Sequence, residues 1–106
     1  MRLVIVESPY AGDVERNLAY LRRCLRDCLE RGESPYASHG LLTQPGVLDD
    51  SDPLERTWGV AAGFAWRQRA DATVVYRDLG LTDGMRAGIA DAWTLRQSIQ
   101  YREIGP

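Results

Sequence analysis

The chain has 106 residues, 44% of them hydrophobic, which is enough for one domain spanning residues 1–106 with a real core and too few for two. Thirteen basic against fifteen acidic residues leave a formal charge of −2, so no global field draws the protein to nucleic acid or to an anionic membrane. No apolar run approaches the roughly 20 residues of a bilayer span, and MRLVIV is too short for a signal-peptide core and lacks a small-residue cleavage site after it, so a cytoplasmic location is expected.

Arg2 to Val6 is β-rich without clear alternation, the pattern of a strand buried on both faces of a parallel sheet. The loop ESPYAGD follows, with Asp13 placed to cap a helix. From Val14, apolar residues recur at Leu18, Leu21, Cys24, Leu25, Cys28 and Leu29, which is helical spacing, and Gly32 is placed to end the helix. Cys24 and Cys28 lie four apart on that helix, where disulfide geometry is hard to reach, so they are expected as packed thiols. Residues 34–44 are less periodic and predict a short strand around Tyr36 to Ser38, interrupted by Gly40.

Asp52, Pro53 and Glu55 have the spacing of an N-cap, a first helical proline and a capping-box acid, and a helix to about Gln68 is predicted. Gly59, Ala61, Ala62, Gly63 and Ala65 make it unusually rich in small residues, which suits close approach to a sheet or to another helix. Asp71 to Tyr76 reads as a second buried strand. A third helix, roughly Gly84 to Gln97, is expected to present Met85, Ile89, Ala92 and Trp93 on one face, and Ile99 to Ile104 to form an edge strand. This order predicts a single three-layer α/β/α domain, Rossmann-like or flavodoxin-like, with a mainly parallel sheet of about four strands and Leu3, Val4, Ile5, Val74 and Val75 at its centre.

In such sheets a ligand binds at the carboxyl ends of the strands, where strand order reverses. The loops expected there are ESPYAGD, SHGLLTQPGVLDD and RDLGLTDG. Glu7, Ser8, Tyr10 and Asp13 leave the first strand together. Glu7 is the notable one, because a carboxylate at the end of a buried strand is costly unless it is paired or faces a cleft. His39 is the only histidine, which argues against a histidine-rich metal site and leaves a general acid/base or a ligand contact. Asp49, Asp50 and Asp52 are accounted for by a cap and a solvated acidic loop, so no metal is expected. In RDLGLTDG, either Thr82 or Asp83 caps the third helix and the glycines serve the turn, or Gly80, Thr82 and Gly84 open the helix N-terminus to a ligand while Asp78 accepts from ligand hydroxyls.

The first-strand loop ESPYAGD, the strand end RADATVVYRDLG and above all GMRAGIADA resemble the nucleoside 2-deoxyribosyltransferase-like superfamily, and more closely its small uncharacterised members, many of them phage-encoded. The resemblance implies attack on the anomeric carbon of a nucleoside or nucleotide by a helix glutamate, without a cofactor. Where that glutamate aligns, this chain has Arg86, which cannot act as the nucleophile but can hold a phosphate or carboxylate. Three readings follow. One is an N-glycosidase in which Glu7 or Asp78 activates water or stabilises the oxocarbenium-like transition state. Another is a module that binds or sequesters a nucleotide signal without cleaving it, and the third is an interaction protein that uses Trp58, Trp66 and Trp93. In the first two, Ser8, Tyr10, His39, Gly80, Thr82, Gly84 and Arg86 contact the ligand. The related transferases complete their crevices with neighbouring subunits, so a homodimer or higher oligomer is expected, with the small-residue surface Gly59 to Ala65 as the contact.

Overall fold

Two runs with almost no polar interruption, RLVIVE and ATVVY, become the two central strands of the sheet, because only a strand covered on both faces can keep consecutive apolar residues out of water. In the computed structural model, which describes residues 1–106, the elements are β1 (Arg2–Glu7), α1 (Val14–Glu30), β2 (Glu33–Tyr36), α2 (Ser38–Leu41), α3 (Pro53–Arg67), β3 (Ala72–Tyr76), α4 (Asp83–Thr94) and β4 (Ser98–Arg102). The sheet has the order β2-β1-β3-β4, and every pairing is parallel. Because β2 lies on one side of β1 and β3 on the other, the direction of winding reverses between β1 and β3.

Right-handed crossovers then place α1 on one face and α3 with α4 on the other. On the α1 face, Val4, Val6, Val74 and Tyr76 pack with Tyr20, Leu21, Cys24 and Cys28. Each fully buried aliphatic side chain there contributes about 1.5–3 kcal/mol. On the opposite face, Glu7 and Thr73 meet α3 through Arg67. Asp13 caps α1 through Arg16 N, Asp52 caps α3 through Leu54 N and Glu55 N, and Thr82 caps α4 through Met85 N. The expected reciprocal bond from Glu55 to the cap does not form, because its carboxylate accepts from Asp49 N instead.

The short second strand lies earlier than expected, at Glu33–Tyr36, and Ser38 begins α2. Gly40 does not interrupt a strand: it lets α2 approach α1, since a Cβ there would stand 2.4 Å from Leu21 Cδ2. The small residues of α3 are also turned inward in part. A Cβ at Gly63 would meet Ser38 Oγ at 2.8 Å and one at Gly59 would meet Leu48 at 3.1 Å, so these glycines serve the chain's own packing and not a neighbour's. Leu3, expected in the core, is 46% exposed at the start of β1. Trp93 is 71% exposed: α4 buries Met85, Gly88 and Ala92, and the indole falls beside that stripe. The helix ends at Thr94, and Gln97 is drawn away to donate to the carbonyls of Arg67 and Ala70. No helix is long and apolar enough to cross a membrane.

Candidate functional site

At the reversal between β1 and β3, above their carboxyl ends, lies a cleft of about 380 Å³, large enough for a small organic ligand. Its floor is formed by Glu7 and Ser8, and Tyr10 comes from the loop beyond. One wall is α2 with the loop after it, including His39, Leu42 and Thr43. A second is one face of α3: Arg56, Val60 and Phe64 at four-residue spacing, with Arg67 three residues further on. The third is the N-terminal turn of α4, from Thr82 to Met85, with Ala87 and Gly88.

Glu7 is buried on this floor. Its Oε2 accepts from Arg67 Nη2 at 2.5 Å, and the same guanidinium donates to Asp91 at 3.0 Å and to Thr73 Oγ1 at 2.6 Å. Thr73 in turn donates to Gln97, which closes the network. Burial pushes the Glu7 carboxyl above its ordinary range; Arg67 works against that shift, while the charge of Asp91 adds to it. The carboxylate lies against Gly88 of α4. A Cβ at Gly88 would fall 2.1 Å from Oε2 and 2.8 Å from Oε1, so glycine is the residue that leaves room for the carboxylate.

Ser8 and His39 meet on the other side of the floor, with Oγ and Nε2 2.7 Å apart. Burial lowers the histidine pKa to about 4, so the ring is neutral at physiological pH. Thr43 donates to the His39 carbonyl at 2.6 Å and fixes the turn that carries it.

Of the residues singled out in the sequence, Glu7, Ser8, Tyr10, His39, Thr82 and Gly84 line this cleft, whereas Asp78, Gly80 and Arg86 do not. The Asp78 carboxylate is engaged elsewhere: it accepts from Tyr20 Oη at 2.5 Å, from Ile104 N at 2.9 Å and from Gly105 N at 2.7 Å. Burial acts to raise its pKa, but these bonds outweigh it and the net direction is down. Gly80, at φ 87°, serves the turn after β3. Arg86 is exposed and pairs with Asp83 at 3.3 Å. Arg56 and Arg67 are the cleft cations, and neither stands out in the sequence. Arg67 closes a helix, where a charge ordinarily points to water, but it repeats at i+4 from Gly59 and Gly63 and so shares their inward face. No group of three or more His, Cys, Asp or Glu residues is placed to hold a metal ion.

The sheet order, the helices on both faces and the cleft at the reversal define a doubly wound, parallel α/β domain with a ligand crevice at its switch point. A solved structure of a 2-deoxyribosyltransferase from the psychrotolerant bacterium Bacillus psychrosaccharolyticus, described as a biocatalyst for nucleoside synthesis, superposes with a TM-score of 0.68 at 14% identity, over 97% of this chain and 73% of that one. No curated protein matches the chain in sequence. The chain belongs to the family Domain of unknown function (DUF7768), whose model matches residues 2–102.

Proposed function

We propose that the protein binds a nucleoside or nucleotide in the cleft between β1 and β3 and hydrolyses its base–sugar bond, with Glu7 as the carboxylate facing the anomeric carbon. The observation that carries this reading is the buried Glu7 carboxylate on the floor of a ligand-sized cleft, in the fold of a deoxyribosyltransferase, with Gly88 clearing the helix surface for it. In its ionised form Glu7 stabilises the oxocarbenium-like transition state. Tyr10, Thr82 and the backbone at Gly84 contact the sugar, and the apolar wall of Leu42, Val60 and Phe64 receives the base. The anion contact expected of Arg86 is assigned to Arg56, the cation on the cleft wall without an ion-pair partner. Asp78 and Gly80 hold the chain beside the site.

A second reading, sequestration of a nucleotide signal as a phage-encoded protein would use it, is favoured by the Glu7–Arg67 pair, because a carboxylate shared with a guanidinium is a weaker stabiliser of a developing cation. Incubation with a panel of nucleosides and nucleotides, followed by chromatography of free base, separates the two. Base release that is lost in Glu7→Gln while binding persists supports the hydrolase. Tight binding with intact ligand recovered supports sequestration, and neither binding nor release across the panel rejects both.

We further propose that copies associate through the outer face of α3, where Leu54, Trp58 and Trp66 lie exposed at i, i+4 and i+12. Light scattering should give at least a dimer, and Trp58→Glu should shift it to monomer. A wild-type monomer at working concentration defeats this assignment.

A further inference from the structure

The floor of the cleft holds two chemically distinct devices on consecutive residues. Glu7 is tied to Arg67, and Ser8 is tied to His39. The hydrolytic reading uses Glu7 to balance the cationic sugar, a role that requires it to stay ionised throughout, and so leaves the attacking water without a base. We propose that Ser8 and His39 form the proton relay that activates this water; the inference rests on the hydrolytic reading of the same cleft.

The geometry is that of a hydroxyl held by an imidazole nitrogen, Oγ to Nε2 at 2.7 Å, with both residues on the cleft surface. The ring is held in place because α2 is clamped from both sides. Gly40 admits Leu21 of α1, Gly63 of α3 admits the Ser38 hydroxyl, and the Thr43 hydroxyl locks the His39 carbonyl. Ser8 is only 4% exposed, so its hydroxyl has little solvent to exchange partners with. The ionisable groups sharing the cleft are Glu7 and Tyr10 beside Ser8, Asp50 before α3, Arg56 and Arg67 on α3, and Asp83 on α4. Burial keeps the imidazole unprotonated at neutral pH, as an acceptor must be.

As the water oxygen bonds to the anomeric carbon, the bond from that carbon to the base nitrogen breaks and its electron pair leaves with the base. The water proton passes to Ser8 Oγ while the serine's own proton passes to His39 Nε2. The imidazolium then returns a proton through Ser8 to the departed base, and both residues are restored. Glu7 balances the cationic sugar throughout and takes no proton.

Two measurements test this. In protein carrying ¹⁵N-labelled histidine, NMR at neutral pH should show the Nδ1–H tautomer, with Nε2 unprotonated and facing Ser8; an Nε2–H tautomer overturns the relay. In base-release assays with a cleaved nucleoside, Ser8→Ala and His39→Gln should each lower kcat by about 10²–10⁴-fold with KM little changed. The double variant should be no worse than either single one, and the solvent deuterium isotope effect on kcat should shrink in both. A merely structural role would move KM and thermal stability and leave the isotope effect in place. Wild-type cleavage that persists undiminished in both variants overturns the relay and spares the hydrolytic reading. A wild-type protein that releases no base overturns that reading, and the relay falls with it.

Discussion

Two buried arginines on opposite faces of one sheet do different work. Arg102, at the end of β4, grips Glu33 with two bonds of 2.7 Å and reaches the Tyr76 hydroxyl and Gln100 as well. Its carboxylate partner is held below the ordinary range, chiefly by the Arg102 hydrogen bonds. Arg67 has Glu7 on a single nitrogen, divides its charge with Asp91, and leaves its partner's carboxyl raised by burial. A guanidinium that saturates one carboxylate makes a fastener. One that is divided between two carboxylates leaves a carboxylate poised beside a cleft.

The largest effect should come from breaking the fastener. Arg102→Leu strands Glu33 in the interior, and denaturant unfolding should register a loss of about 3–5 kcal/mol; a loss below about 1 kcal/mol would mean that Glu33 escapes to solvent and the contrast with Arg67 fails. Next in size is Gly88→Ala, which drives a methyl group into the Glu7 carboxylate. Overpacking of this kind removes about 1–3 kcal/mol. It should also lower base release, whereas the same Gly→Ala change at exposed Gly84, where a Cβ meets nothing closer than 3.9 Å, should cost no stability.

The two carboxylates should also tilt stability in opposite directions with pH. For Glu33, whose folded pKa is lowered from 4.5, the unfolded chain binds more protons in acid, so its contribution is present above the unfolded pKa and is lost as pH falls through the folded one. For Glu7, whose folded pKa is raised from 4.5, the native state binds more protons between the two values, so its contribution is present below the unfolded pKa and is lost as pH rises through the folded one. Urea unfolding across pH should therefore find that Glu33→Gln flattens the fall in acid while Glu7→Gln flattens the decline toward neutrality. Slopes of the same sign would show that the two centres are electrostatically alike. The smallest effect belongs to a third arginine: Arg86→Ala removes an exposed i, i+3 pair and should change stability by less than about 0.5 kcal/mol and leave ligand binding untouched.

The sequence carries the central strands, the long first helix and the three caps, because each depends on a local pattern: an apolar run, a 3.6 period, or an oxygen before a helix. Glu7 is legible for the same reason, as a charge where a strand has no room for one. Its partner is not, since Arg67 lies 60 residues away and a terminal helix arginine looks solvated in isolation. In α3 the usual amphipathic rule is inverted. Glycines and an arginine face inward while Trp58 and Trp66 face out, because a helix that must close on α2 and on the sheet needs small residues where it touches them. Asp78 misleads for a related reason: a carboxylate at a strand tip looks like a ligand contact, and only the fold brings the amides of Ile104 and Gly105 to it.

Cys24 and Cys28 lie in the α1 layer with no exposed surface, and burial raises both thiols, Cys24 to about 12. Neither is present as thiolate in the native state at neutral pH, and neither is within reach of an alkylating reagent. Labelling in native buffer therefore proceeds only during excursions that part α1 from the sheet, and its rate is a clock for the opening of the core that requires no engineered probe.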